Sequence, residues 1–457
     1  MKTRLDPAVL KLAGILLLGV MAPLLDSTIV NVALHTLGRD LNAPVSAVQW
    51  VSTGFLLALA MAIPITGWSA ERFGAKRMWL VSLLLFLGGS VLCGLAWDLG
   101  SLIAFRVVQG VAAGLMLPIL QTLLMRAAGG RQLGRLMAVV SLPALVGPVF
   151  GPVLGGLIAG HLSWRWIFYV NVPICVAAIL LAWRALPADA ARERRRLDVT
   201  GLLLLSPGLA ALMYGLARVG TAGGFWDVTV LAPVAAGALL VTAFVCRTTP
   251  EPLIDLGLFR DRTFAASSAL LFLSGLAMFG SMLLLPLFYQ QERGQSVIAA
   301  GLLLAPQGLG SLLAKGLGGV ADRVGPRPVV LAGIAMTALG TLPFVFADRH
   351  TGGLLLGLAL VVRGAGLSSA NMAIMVGAFQ GLDRARIPHA SSTTRIAQQV
   401  GGAFGAAVLA VVLQRQLAGH PATAFGHTFG WALALTALAV VPALLLPRVR
   451  TEQPAPA

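Results

Sequence analysis

Asp26 sits in "LLDSTIVN" (24–31), inside an apolar stretch that runs from Val9 to Leu34. If that stretch crosses a bilayer, a carboxylate near its centre costs about 2.5–3.5 kcal/mol, and groups placed so expensively mark ion or substrate paths. The chemistry on offer is the loading and release of a proton, or of a cationic group that competes with it. The structural alternative is an aspartate held permanently against an arginine as a tie between helices. Pro23 removes the backbone donor that would reach the carbonyl of Gly19 and is expected to bend the helix beside Asp26. Asn31 follows five residues later, about 140° around a helix, and so belongs to another face, where it bonds a neighbouring helix.

Arg106 begins a helix face of its own. Gln109, Gly110, Ala113 and Gly114 follow it at i+3, i+4, i+7 and i+8, so all five share one helix face. The small residues admit a neighbouring helix while the guanidinium points into polar space. The alternative is an arginine that snorkels to the membrane edge. The second half of the chain has no in-span acid matching Asp26. It offers Lys315, Arg363 and Arg395 within apolar blocks, with Gln307, Asn371, Gln398 and Gln399. Met278, Met282, Met372, Met375, Phe272 and Phe279 either line an adaptable apolar cavity or simply pack. The candidate substrate-binding set is Asp26, Gln109, Met278, Met282, Gln307, Asn371 and Gln398.

The rest of the inventory excludes several classes. No metal-ligand cluster, nucleophile triad or phosphate loop is evident, and the six histidines are scattered over loops and helix ends. The three cysteines lie in or at the ends of apolar blocks, which argues against a disulfide framework. The chain therefore reads as a non-enzyme with no cofactor and no metal.

The elements that must position these residues are membrane spans. Of 457 residues, 58% are hydrophobic and 11% charged, about half the charged share of soluble proteins. Fourteen apolar blocks are long enough to cross a bilayer as helices: 9–34, 46–68, 78–97, 101–125, 133–160, 165–186, 199–218, 228–246, 264–290, 296–320, 328–347, 352–379, 388–414 and 427–447. The net charge of +16 arises from Lys and Arg in short loops, most densely Arg192, Arg194, Arg195 and Arg196. That is the positive-inside pattern, not a nucleic-acid surface, and it places both termini in the cytoplasm. The first block is too long for a cleaved signal peptide and is expected to remain as the first span.

An internal repeat organises the blocks. "GWSAERFGAKRM" (67–78) aligns with "GGVADRVGPRPV" (318–329), matching Gly67, Glu71, Arg72 and Lys76 to Gly318, Asp322, Arg323 and Arg327 in identity or charge. Duplicated halves about a central site characterise secondary transporters. The expected domains are a six-helix bundle over 1–190, a two-helix insertion with cytoplasmic linkers over 191–262, a second six-helix bundle over 263–450 and a tail over 451–457. The fold class is an all-α polytopic membrane protein.

At these residues the chain resembles the major facilitator superfamily, and within it the fourteen-helix drug:proton antiporters of the multidrug efflux group. "LDSTIVNVAL" resembles that group's first-helix motif, "GWSAERFGAKR" the superfamily's loop motif and "RVVQGVAAG" (106–114) its fourth-helix motif. "GPVFGPVLGG" (147–156) resembles the fifth-helix antiporter motif. His35 stands where the group usually has proline, and Glu71 replaces the commoner aspartate.

The resemblance implies a proton-coupled antiporter in a bacterial inner membrane that exports small amphipathic compounds by alternating access. Asp26 and Arg106 would carry the proton coupling. Gly147, Gly151 and Gly155, spaced by four, with Pro148 and Pro152, would form a close-packed hinge. Glu71, Arg72, Asp322 and Arg323, with Gly67 and Lys76, would form a cytoplasmic latch. The expected partners are a small-molecule substrate, protons and the lipid bilayer, with no nucleic acid, and the chain is expected to be a monomer. The competing readings are an exporter of one metabolite, such as an amino acid, sugar or siderophore, and a non-transporting receptor.

Overall fold

The computed structural model describes residues 6–128, 136, 154–155, 158, 162–187, 189, 196–222, 224–247, 249, 251–314, 320, 323–383 and 385–447. Among them the regular elements are helices. The first half contains α1 (Pro7–Asp40), α2 (Val45–Ala62), α3 (Thr66–Phe73), α4 (Ala75–Gly94), α5 (Leu99–Ala128) and α6 (Asn171–Ala185). An inserted pair follows, α7 (Val199–Ala222) and α8 (Val228–Cys246). The second half contains α9 (Arg262–Leu287), α10 (Val297–Leu303), α11 (Ala305–Leu313), α12 (Pro326–Val345), α13 (Gly353–Phe379), α14 (Ile387–Gly419) and α15 (Ala424–Leu438).

Loop aspartates start many of these helices. Asp6 accepts from the Ala8 amide at 2.9 Å to open α1, and Asp261 accepts from Thr263 and Phe264 at 2.7 and 3.2 Å to open α9. Asp98 takes the Ser101 amide at 2.7 Å before α5, and Asp227 the Thr229 amide at 2.7 Å before α8. Each satisfies a donor that the first turn leaves orphaned and meets the positive end of the helix dipole.

Eleven described helices are long and apolar enough to cross a membrane, or twelve if the bent pair α2–α3 counts as one span. The fourteen blocks read from the sequence fit this count without being fully resolved by it. Block 133–160 lies largely outside the described residues. Two blocks expected as single helices are broken. Block 46–68 ends α2 before Pro64, whose missing N–H interrupts the ladder, and α3 leaves at 58° to it. Block 296–320 splits at Leu304, just before Pro306 in the first turn of α11.

The chain forms two compact units. The first takes in the described parts of Met1–Ala127, Pro143–Tyr214 and Ala236–Ile254. Its core joins Leu25 and Ile29 of α1 to Val48 and Val51 of α2, Cys93 of α4, and Trp164 and Phe168 ahead of α6. The second takes in the described parts of Ala128–Leu142, Gly215–Ala235 and Asp255–Ala457, around the aromatic cluster Phe288, Phe344, Phe425 and Phe429. Contacts repeat between units: α6 packs on α1 and α4 as α15 packs on α9 and α12. The inserted helices meet where Gly208 faces Gly237, with backbone near enough that a Cβ on Gly237 would lie 2.6 Å from the Gly208 oxygen.

A clasp closes the base of the inserted pair. Asp198 accepts from the Gly201 amide at 2.8 Å, from Arg247 at 2.5 Å and from the Leu253 amide at 3.3 Å. Burial opposes its charge, but the bonds from Arg247 and the two amides outweigh it and hold the carboxyl below its ordinary range. A lowered folded value means the stabilisation is complete above the ordinary 3.8 and fades as pH falls through the folded value. Asp198→Asn is expected to lose about 1–3 kcal/mol at neutral pH, a difference that shrinks in acid. Thermal unfolding of both proteins in detergent across pH checks this.

Candidate functional site

Asp26 lies twenty residues into α1, fully buried. Its Oδ2 accepts from Nη1 of Arg106 and its Oδ1 from Nδ2 of Asn171 at 2.9 Å. Arg106 is 1% exposed, so it does not snorkel. Its Nη1 also donates to Oε1 of Gln109 at 2.9 Å and its Nε to the Val51 carbonyl at 3.1 Å. The Phe55 ring centre lies 4.2 Å from the guanidinium carbon and that of Phe168 5.8 Å away, distances at which aromatic faces stabilise a cation.

The network extends one layer further. Gln109 donates to Ser90 at 2.7 Å and accepts from the Cys93 thiol at 3.2 Å, and Asn171 reaches Ser90 at 3.4 Å. Five helices of one unit thus converge: α1 brings Asp26, α2 Val51 and Phe55, α4 Ser90 and Cys93, α5 Arg106 and Gln109, and α6 Asn171. Glycine makes the convergence possible. A Cβ on Gly110 would lie 2.3 Å from the Phe55 carbonyl, and one on Gly114 the same distance from that of Leu59. The small-residue face of α5 therefore seats α2 at backbone contact and leaves Arg106 inside.

The sequence reading missed Asn171, Ser90, Cys93 and Phe55. Asn171 alone carried a usable signal, an amide at the head of an apolar span. The side chain of Asn31 lies outside the described residues.

The remaining candidates divide into separate groups. In the second unit Gln307 accepts from Nη1 of the buried Arg363 at 2.8 Å. Gln398 accepts from Arg395 at 3.0 Å and donates to Asn371 at 3.3 Å. Met278 is half-buried, whereas Met282 is 41% exposed and faces outward. Lys315 lies outside the described residues.

In the loop motif Gly67 is buried and Glu71 and Arg72 are half-buried. Lys76 Nζ donates to the Leu186 carbonyl at 2.6 Å, and the Lys76 and Arg77 amides donate to Asp189 at 2.8 and 3.2 Å. Asp189 thus caps α4 beside Gly74, whose φ of 94° suits glycine. Arg323 is exposed. Asp322, Gly147, Pro148, Gly151 and Pro152 lie outside the described residues, and Gly155 is helical and buried.

Many membrane-length helices, a duplicated packing pattern and an ion pair buried inside one bundle define a polytopic membrane transporter rather than an enzyme. The sequence profile of the Major Facilitator Superfamily matches residues 16–406, and the chain belongs to that family.

Among its relatives is a multidrug resistance protein B homolog of Mycobacterium tuberculosis, 40% identical over 90% of this chain and 78% of that protein. The multidrug export protein EmrB of Haemophilus influenzae is 38% identical over 67% of this chain and 61% of its own. EmrB of Escherichia coli is 36% identical over 69% and 62%. The crystal structure of the human organic anion transporter MFSD10 (TETRAN) superposes with a TM-score of 0.65 over 96% of this chain and all of that one, at 18% identity, which supports the fold. The resemblance to the multidrug efflux group read from the motifs is thus borne out.

Proposed function

We propose that the chain is a proton-coupled antiporter that exports small amphipathic compounds, several drugs among them, by alternating access. Asp26 is the group that takes proton and cargo in turn. The observation that carries this reading is that both partners of the buried pair have somewhere to go when the pair opens. Arg106 keeps the Val51 carbonyl, Gln109 and the Phe55 face. Asn171 now donates to Asp26 while its own Oδ1 is buried with no hydrogen-bond partner among the described residues. A flipped Asn171 amide would accept the O–H of a protonated Asp26, so one side chain serves both states. A tie meant to be permanent has no use for that reserve.

Asp26 is the sole buried carboxylate in a span among the described residues. Exchange of one proton for a monovalent cation through it is electroneutral and runs on the pH gradient alone. The names of the relatives support multidrug cargo and their bacterial sources a bacterial inner membrane, the basic loops support cytoplasmic termini, and the apolar helices support lipid around the spans; the working unit is a monomer. Glu71, Arg72, Asp322 and Arg323 act as the cytoplasmic latch, and the 147–155 segment as the hinge. Dedicated export of one anionic metabolite is the second reading, favoured by the buried cation Arg363.

The test is proton release. Tetraphenylphosphonium added to purified protein in weak buffer, at a pH acid enough to load Asp26 with a proton, is expected to release up to about one proton per chain, and none from Asp26→Asn. Silence of the wild-type protein to it and to other lipophilic cations would overturn the reading.

A further inference from the structure

Arg363 is 2% exposed and lies in the middle of a membrane-length helix. Its Nε donates to Thr341 at 3.2 Å, its Nη1 to Gln307 at 2.8 Å and its Nη2 to Ser281. All three acceptors are neutral, and no carboxylate pairs with it among the described residues. A buried cation without a counter-ion costs several kcal/mol, and a guanidinium still has donors to spare after three bonds.

The internal repeat explains what is missing. Asp6 caps α1 and Asp261 caps α9, and twenty residues after each cap stand Asp26 and Ser281. Each accepts from a buried arginine of its own unit. The correspondence continues around both sockets. "VVQG" (107–110) in α5 matches "VVRG" (361–364) in α13, so Arg363 takes the place of Gln109. A Cβ on Gly89 would meet Gln109 at 2.6 Å, and one on Gly340 would meet Arg363 at 2.6 Å. The next residues, Ser90 and Thr341, bond those same two side chains. Gly110 lies against the Phe55 carbonyl and Gly364 against that of Gln307. The two units therefore build one socket twice. The first contains its own carboxylate; the second has a hydroxyl at that position.

We propose that the socket of Arg363, Ser281, Thr341 and Gln307 is an anion site that takes a carboxylate, supplied by the anionic or zwitterionic compounds among the cargo. This rests on the export reading for its role, although not for its chemistry. The planar fork of Arg363 matches a carboxylate in two-point contact. The hydroxyl proton of Ser281 is already committed to the Ala277 carbonyl at 2.6 Å, so Ser281 presents lone pairs to Arg363 and yields to a stronger acceptor. Gln307 and Thr341 hold the guanidinium in place.

The experiment measures binding on the purified full chain in detergent at constant ionic strength. Benzoate is expected to raise the unfolding midpoint by a few degrees, while its neutral isostere benzamide leaves it unchanged. Acetate serves as the second arm: an equal response to acetate assigns the site to free carboxylate ions, and a response to benzoate alone assigns it to an amphipathic acid. Arg363→Gln is expected to remove the response. Ser281→Asp keeps the arginine, supplies the internal carboxylate of the first socket, and is expected to raise the unliganded midpoint while removing the benzoate response. Should one variant fail to fold, the other decides.

No response to either carboxylate, a response to chloride alone, or a benzoate response that survives both substitutions would overturn the site. Because binding is read without transport, such a failure with drug-evoked proton release intact counts against this site alone. Loss of proton release with benzoate binding intact counts against the export reading alone.

Discussion

Asp26→Asn is expected to abolish export while the protein still folds and inserts. Asparagine has the same shape and still accepts from Arg106, so α1 and α5 remain joined, but it cannot take a proton or balance a cation. Breaking a buried ion pair costs about 3–5 kcal/mol when the remaining charge is stranded. Here Arg106 retains Gln109, the Val51 carbonyl and the Phe55 face, which places the loss at the low end of that range. The check is drug resistance in a bacterial strain deleted for its own pumps, wild type beside the variant, with membrane levels of both proteins measured. Equal levels with resistance lost is the expected result; full resistance in Asp26→Asn would sink the coupling role.

The outline of this site is readable in the sequence because charge in an apolar span is rare. Asp26 and Arg106 announce themselves by type alone, and their separation of eighty residues does not hide them. Asn171 and Ser90 are different. Small polar side chains occur in spans for many reasons, and what makes these two part of the site is tertiary contact with residues 145 and 19 positions away. Periodicity shows that Gly110 and Gly114 share a face with Arg106, but not that α2 is the helix seated on it.

The fold follows a similar division. Apolar length finds the spans. The break at Pro64 and the split before Pro306 escape because both flanks remain apolar, so hydropathy reads through a backbone interruption. The second socket is hidden for a further reason. Arg363 matches Gln109 rather than Arg106, so comparing charges between the halves does not align them; the glycine contacts do.

Arg106→Gln tests the pair from the other side. Apart from Arg106, Asp26 is bonded by Asn171 alone among the described residues. Stability is expected to fall by about 3 kcal/mol, the low end of the cost of a broken buried pair, because the stranded anion can be neutralised. A carboxylate left without its cation in a dry site takes up a proton instead, so the variant should show the infrared band of a protonated carboxylic acid, absent when Asp26→Asn is added. The double variant removes both charges and is expected to regain most of the stability without regaining export. Unfolding in detergent of wild type, both single variants and the double closes the cycle. If the double variant loses the sum of the single losses, the two side chains are not coupled. If it regains export, neither is the group that carries the proton.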